Sequence, residues 1–149
     1  MKWNVKDVEL FIREKEYVDT ALIPLLPVDF GANMKRAAEQ GEFIQLLSMH
    51  LERQFKGRLV LLPSITYLQE PEVEGEILSS WRVQAKEGGF SHVFFLTADK
   101  RWNSLGEEEL GSFFYVPSIP LEHMEEQYKH AAMEDQLKSL IPKMIKNWG

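Results

Sequence analysis

Three short apolar runs, separated by longer amphipathic segments, dominate the hydrophobic pattern of the chain. They are Thr20–Leu26, Arg58–Leu62 and His92–Leu96, and each is followed by a proline or a threonine. A strand with one face in water alternates apolar and polar positions, whereas these runs do not alternate. The pattern therefore predicts strands that are covered on both faces, as in an α/β domain.

The segments between the runs carry apolar residues at helical spacing. Asn4 can cap a first helix that continues to about Lys15, and Asn33 can cap a long second helix that ends at Gly57. A polar, glutamate-rich loop then leads into a third helix, which places Trp81 on its buried stripe.

The second half of the chain predicts one more strand and a final helix. Phe113–Val116 is apolar and aromatic enough for a strand, and Ser104–Glu107 before it has capping-box spacing for one short helical turn. Pro142 cannot donate a hydrogen bond inside a helix. We therefore expect the carboxyl-terminal helix to kink or restart there, with Ser139 as the new cap.

Helices between successive strands must cover both faces of a mostly parallel sheet. This predicts one three-layer αβα domain over residues 1–149, with a Rossmann-like or flavodoxin-like sheet of four strands in the order 2-1-3-4. Pro24 removes a ladder donor, so it places the first strand at an edge or at a bulge. The alternative is an α+β domain in which Phe113–Val116 pairs antiparallel at an edge.

Composition narrows the classes of function. The chain has no cysteine, which excludes disulfides, thiolate metal sites and cysteine nucleophiles. Its net charge of −6 comes wholly from residues 61–149, with clusters such as Glu107–Glu109, so nucleic acid is not an expected partner. No apolar run approaches the roughly 20 residues of a membrane span. Because the amino terminus has no signal core either, we expect a cytoplasmic protein.

The predicted sheet selects candidate site residues although no motif marks them. In open α/β sheets, ligands bind outside the carboxyl ends of the strands, near the point where the strand order reverses. The polar residues at these ends are Asp29, Asn33, Ser64, Thr66, Thr97, Asp99, Arg101 and Ser118. The loop that holds Asp99 and Arg101 is the richest, because it adds Lys100 and Trp102. A binding role there competes with the ordinary composition of an exposed loop.

Motifs for cofactors, metals and catalysis are missing. The chain has neither a glycine-rich phosphate loop nor the pattern of a nucleophile elbow, so we predict no cofactor and no catalytic residue. His123 and His130 lie two helical turns apart, about 10 Å, which is too far to share one ion. His50 lies on the apolar stripe of the second helix, where a satisfied or interfacial histidine is usual. We therefore predict no metal site.

Three tryptophans lie at the termini or in a loop: Trp3, Trp102 and Trp148. At such positions an aromatic ring can cover the edge of the core or anchor a partner. The second role would support self-association through the terminal helices.

Segments along the chain resemble a known family. They are MKWNVKDVELF (residues 1–11), EKEYVDTALIPL (14–25) and LLP (61–63). With these segments the whole chain resembles the YpiF-like family of uncharacterised bacillar proteins, which has no assigned activity and transfers no catalytic residue. Genes of that family often lie beside those for a menaquinol–cytochrome c reductase, so the resemblance implies an accessory role in respiration.

Two functions fit the sequence. The first is a non-catalytic interaction or regulatory domain that binds a protein partner or a second copy of the chain. The second is a small-molecule binder or small enzyme that uses the crevice at the strand ends, with Asp29, Thr97, Asp99 and Arg101 as the first positions to inspect. A deep pocket that contains two or more of these side chains would favour the second, whereas a large apolar patch elsewhere would favour the first.

Overall fold

The computed structural model describes residues 1–68, 71–104 and 112–149, and it is an α/β protein whose helices flank a mostly parallel sheet. The predicted fold class is therefore confirmed. In chain order the elements are α1 (Val5–Arg13), β1 (Thr20–Val28), α2 (Met34–Gln54), β2 (Leu59–Leu61), β3 (Ile65–Leu68), α3 (Pro71–Glu87), β4 (His92–Thr97), a 3₁₀ helix (Lys100–Ser104), β5 (Ser112–Tyr115) and α4 (Glu126–Trp148). Most of the predicted turn at Ser104–Glu107 and the whole Glu107–Glu109 cluster lie outside the described residues.

The strands follow the order β2-β1-β4-β5, and β3 pairs with β1 beyond the end of β2. The four predicted strands are β1, β2, β4 and β5, so the observed order differs from the predicted one by the extra strand β3. Leu96 of β4 lies opposite Phe114 of β5 in a parallel pair. The antiparallel alternative for Phe113–Val116 is therefore wrong.

Pro24 lies in the middle of β1, which is a central strand, so the predicted edge position is wrong. The backbone groups of alternate residues face the same neighbouring strand, and the Leu22 carbonyl accepts a hydrogen bond from the Leu62 N–H at 2.9 Å. Pro24 therefore faces the same side as Leu22. On that side the register shifts by one residue between β2 and β3, as it does at a β-bulge. The missing proline donor thus falls where the ladder is already interrupted.

The strand β3 occupies part of the stretch that the sequence predicts as a polar loop, and that prediction is wrong there. Its four residues pair in parallel with the last four residues of β1. Tyr67 is buried beneath α3, whereas Thr66 and Leu68 on either side of it are exposed. So short a strand depends on its partner for hydrogen bonds, and its own composition is a weak signal.

Alternate residues of the central strands fill two separate cores. Leu22 and Phe94 pack beneath α2 and α4, whereas Ile23 and Phe95 pack beneath α1 and α3. Among the described residues, the first helical layer has helices of 21 and 23 residues, and the second has helices of only 9 and 17. Within these residues, the second face of the sheet is therefore covered by much less helix.

The two predicted asparagine caps differ. The Asn4 side chain accepts a hydrogen bond from the Asp7 N–H at 2.8 Å, which confirms the cap of α1. Asn33 precedes α2, but its side chain makes no capping hydrogen bond. The Asn33 side chain therefore does not cap α2.

The helix α4 continues through Pro142 without a break, so the predicted restart at Ser139 is wrong. Leu140 and Met144, on either side of the proline, are both buried in the core beneath α2 and α4. This continuous apolar stripe stabilises the helix where one backbone hydrogen bond is lost.

Candidate functional site

A polar cavity of about 210 Å³ lies outside the carboxyl ends of β1 and β4, the strands between which the order reverses. The residues after β1 that line it include Asn33, Arg36 and Gln40, and those after β4 include Asp99, Lys100 and Arg101. Three of the predicted site residues, Asn33, Asp99 and Arg101, therefore meet in one cavity.

The other predicted site residues have different surroundings. The Asp29 carboxylate accepts the Gly31 N–H at 2.8 Å and so closes its own turn. Thr97 is fully buried, and its hydroxyl oxygen accepts the Asp99 N–H at 3.0 Å. Ser64 lies in the linker between β2 and β3. None of these three lines the cavity.

Asp99 is held by its neighbours on both carboxylate oxygens. The Tyr67 hydroxyl donates to it at 2.7 Å, and the Arg101 guanidinium donates at 2.6 Å from Nη2 and at 3.0 Å from Nε. Burial alone would raise the pKa of the Asp99 carboxyl, but the hydrogen bonds from Arg101 and Tyr67 outweigh burial and hold that pKa below its usual value. An ionised carboxylate that is already saturated with donors is poorly suited to act as a general base or a nucleophile.

Trp102 packs beside the same network. The sequence predicts that its ring covers the edge of the core or anchors a partner. The structure buries this side chain completely, so neither expectation is right. Its ring lies edge-on to Tyr67, with 5.0 Å between the ring centroids, in the core beneath α1 and α3. Burial, followed by the hydrogen bond to Asp99, raises the pKa of the Tyr67 hydroxyl. Tyr67 therefore acts here as a neutral donor.

The described lining of the cavity has a surplus of positive charge. Among the described residues, Arg36, Lys100 and Arg101 line it together with one carboxylate, Asp99. Arg101 is paired with that carboxylate, and within the described part of the chain neither Arg36 nor Lys100 has an ion pair. A small anion is the ligand whose charge matches this lining.

A second concave surface lies on the thinly covered face of the sheet. We call it the α1/α3 groove, and it encloses about 640 Å³. Its walls are Val8, Phe11, Ile12 and Lys15 of the α1 segment and Ser80, Trp81, Gln84, Ala85 and Gly88 of the α3 segment, and Trp3, Leu62, Pro63 and Phe90 complete it.

The walls of the α1/α3 groove expose large apolar side chains. Trp3 is 57 % exposed, Ile12 is 60 % exposed and Trp81 is 41 % exposed. The prediction that Trp81 lies on a buried stripe is therefore wrong. Leu78 of α3 enters the core instead, and its side chain is buried.

Buried core residues form the deep part of the α1/α3 groove. Phe11 stacks on Phe90 with 4.6 Å between the ring centroids, and both rings belong to the core that also holds Leu62. The groove is therefore a gap in the helical layer that reaches down to the core.

The sequence-based selection lacks Arg36, which lines the polar cavity, and Tyr67, which supports Asp99. Arg36 follows Asn33 by three positions on α2 and so lies on the same side of the helix. Helical spacing from Asn33 would have found it. Tyr67 could not be found in this way, because its position depends on the unpredicted strand β3.

No helix among the described residues combines the length and the apolar character needed to cross a bilayer. Residues 9–148 match the family model described as "Protein of unknown function (DUF2487)". The chain is 36 % identical over 149 residues to the protein called "Uncharacterized protein YpiF" from Bacillus subtilis (strain 168), an alignment that covers all of this chain and 99 % of that protein. No solved structure matches the chain.

Proposed function

Because this chain belongs to the DUF2487 family of proteins of unknown function, we propose its role from its own surfaces. In this proposal the protein is a non-catalytic interaction domain that binds an amphipathic helix of a protein partner in the α1/α3 groove. The exposure of two tryptophans, Trp3 and Trp81, on the walls of one apolar groove is the observation that carries this proposal.

Tryptophan is one of the residues enriched at the hot spots of protein interfaces, because a large ring loses much apolar contact with water when a partner covers it. Single exposed apolar residues are ordinary on protein surfaces, but a contiguous apolar patch marks an interaction site. Trp3, Ile12 and Trp81 belong to one such patch.

The architecture favours a helix as the occupant. The groove lies between two helices that pack on the sheet, and its floor is the core itself. An added helix would complete the helical layer that α1 and α3 fill only in part. Binding of this kind is the helix-in-groove mode of recognition.

The charge of the chain favours a basic partner. The net charge is −6, and its field attracts positively charged proteins. The partner helix should therefore carry apolar residues on one face and lysine or arginine residues beside them. The same negative charge repels a second copy of this acidic chain.

Photo-crosslinking in the host cells tests this proposal. A benzophenone amino acid replaces Trp81 in the groove or, as the matched control, Tyr128 on α4, which is 60 % exposed. We expect one heterologous adduct from position 81, mapped to an amphipathic helix with basic flanks, and no such adduct from position 128. An adduct with this chain itself, the same adduct from both positions, or none from position 81 would refute the proposal.

We further propose that the domain acts in the cytoplasm as an accessory to respiration. The resemblance to the YpiF-like family is the support for this context, and the acidic, cysteine-free composition agrees with it. The crosslinking experiment tests it as well. The adduct should contain a protein of the respiratory chain or of its assembly, and a partner from an unrelated process would contradict the context.

A second candidate function is the binding of a small anion in the polar cavity, which the positions of Arg36 and Lys100 favour. Inorganic phosphate is the first probe, with thermal unfolding as the readout. Phosphate should raise the melting temperature of the wild type more than that of Arg36→Gln or Lys100→Gln. Lys143→Gln on the exposed side of α4 is the matched control, and an equal response of all four proteins would refute this candidate.

A further inference from the structure

His50 is a buried imidazole without a hydrogen bond. It lies on α2 and is 9 % exposed, and neither ring nitrogen has a hydrogen-bond partner in the described part of the chain. Both ring nitrogens are therefore available to an added ligand.

Two further donor side chains lie beside His50 on α4. His130 and Glu134 are one helical turn apart, with 3.9 Å between His130 Nε2 and Glu134 Oε1. The rings of His50 and His130 are 5.6 Å apart between centroids. One donor atom from each of the three residues lies within 4.8 Å of the other two.

We propose that His50, His130 and Glu134 form a binding site for one divalent metal ion of the zinc class, held between α2 and α4. Two imidazoles and one carboxylate are a known zinc ligand set, and three protein ligands leave a fourth position for water. Imidazole donors select Zn²⁺ and its transition-metal neighbours over Mg²⁺ and Ca²⁺, which prefer oxygen ligands.

The geometry needs only a small closure to accept the ion. Zinc–ligand distances of about 2.0–2.1 Å in a tetrahedral site bring donor atoms to roughly 3.3–3.5 Å from one another. His130 and Glu134 are both exposed, so their side chains are free to rotate toward His50. His50 is fixed by its burial and acts as the anchor of the site.

The site differs from the arrangement that the sequence excluded. The sequence predicts His123 and His130 two turns apart on one helix, whereas α4 begins at Glu126, so His123 precedes it and has no part in the cluster. The sequence could not place His50 beside His130, because α2 and α4 are separated by four of the five strands. The site also lies on the opposite face of the sheet from the α1/α3 groove, so it stands independently of the proposed partner.

Zinc titration of the tag-free, metal-stripped chain by calorimetry tests the site. We expect one Zn²⁺ per chain in the wild type. His130→Ala and Glu134→Gln should each weaken binding by at least about tenfold, the loss that even an outer-shell partner of a metal ligand can cause. Both positions are exposed, so folding is retained, and circular dichroism of the variants checks this.

His123→Ala is the matched control. His123 is an exposed histidine beside a glutamate, with 3.6 Å between its Nε2 and Glu122 Oε1, and it has no part in the cluster. This variant should bind zinc as the wild type does. Co²⁺ in the wild type should give the visible absorption of a four-coordinate nitrogen and oxygen site, which His130→Ala loses. Absence of stoichiometric binding, or equal loss in His123→Ala and His130→Ala, would overturn the proposal.

Discussion

The indole N–H of Trp148 donates to the Thr20 hydroxyl at 2.6 Å, which joins the last turn of α4 to the first residue of β1. The Thr20 hydroxyl in turn donates to Asp19 at 2.8 Å, and Asp19 accepts Arg58 Nε at 3.0 Å. The Arg58 guanidinium lies 4.2 Å from the centre of the Trp148 ring. Four side chains from three parts of the chain therefore close one ring of contacts at the amino end of the central strand.

Loss of the Trp148 side chain should destabilise the protein substantially. Trp148→Ala should lower the free energy of unfolding by about 3 kcal/mol, because the ring packs against Phe55 and Phe94. Trp148→Phe keeps an aromatic ring and loses the N–H donor, so it should cost about 1 kcal/mol. Urea unfolding followed by far-UV circular dichroism measures both. Ile145→Ala, at an exposed position of the same helix, is the control, and a Trp148→Ala midpoint equal to the control's would show that this contact is dispensable.

Continuous apolar runs were the reliable signal in the sequence. The runs at β1 and β4 are covered on both faces, and alternate residues such as Leu22 and Ile23 enter different cores. A strand of that kind can be predicted from its own residues. The strand β3 cannot, because its four residues form a strand only by pairing with the end of β1.

The candidate site was predictable only where a rule of topology applied. The strand-end rule found Asn33, Asp99 and Arg101, which line one cavity. It could not foresee that Tyr67 and Arg101 saturate the Asp99 carboxylate, because those bonds depend on side-chain packing. The exposure of Trp81 was missed for a similar reason: apolar spacing gives the apolar side of a helix but not how much of that side the sheet covers.

Asp99 should make the protein sensitive to acid. Its pKa is lower in the folded chain than in the unfolded one, so the unfolded state binds more protons in the window between the two values. The contribution of Asp99 is present above the ordinary aspartate pKa of about 3.9 and is lost as the pH falls through the lowered value. Asp19, whose pKa is also lowered although burial opposes the shift, adds an effect of the same sign.

Urea midpoints between about pH 6 and pH 3 measure this sensitivity. Asp99→Asn should be less stable than the wild type at pH 6 and should lose less stability on acidification. Asp135→Asn on the exposed side of α4 is the control and should follow the wild type. Parallel curves for Asp99→Asn and the wild type would contradict the role assigned to the hydrogen bonds of Asp99.

Leu78 and Trp81 of α3 differ in burial, so their substitutions should differ in their effect on the free energy of unfolding. Leu78→Ala should cost about 2–5 kcal/mol of stability, because its side chain is buried in the core beneath α1 and α3. Trp81→Ser should cost less than about 1 kcal/mol, because the ring is 41 % exposed and lines the groove. Thermal and urea unfolding of both variants check this contrast. Equal destabilisation would mean that Trp81 is a core residue and has no surface to offer a partner.

The most direct measurement of the central claim is the size of the assembly that contains this chain in a fresh lysate of its host cells. Size-exclusion chromatography should find the wild type well above its own 17.4 kDa and the purified wild type at 17.4 kDa. Trp81→Ser in the lysate should elute at the monomer position, while Tyr128→Ser should elute with the wild type. A wild type that is monomeric in the lysate, or a Trp81→Ser variant that remains in the assembly, would contradict the claim that the α1/α3 groove binds a protein partner.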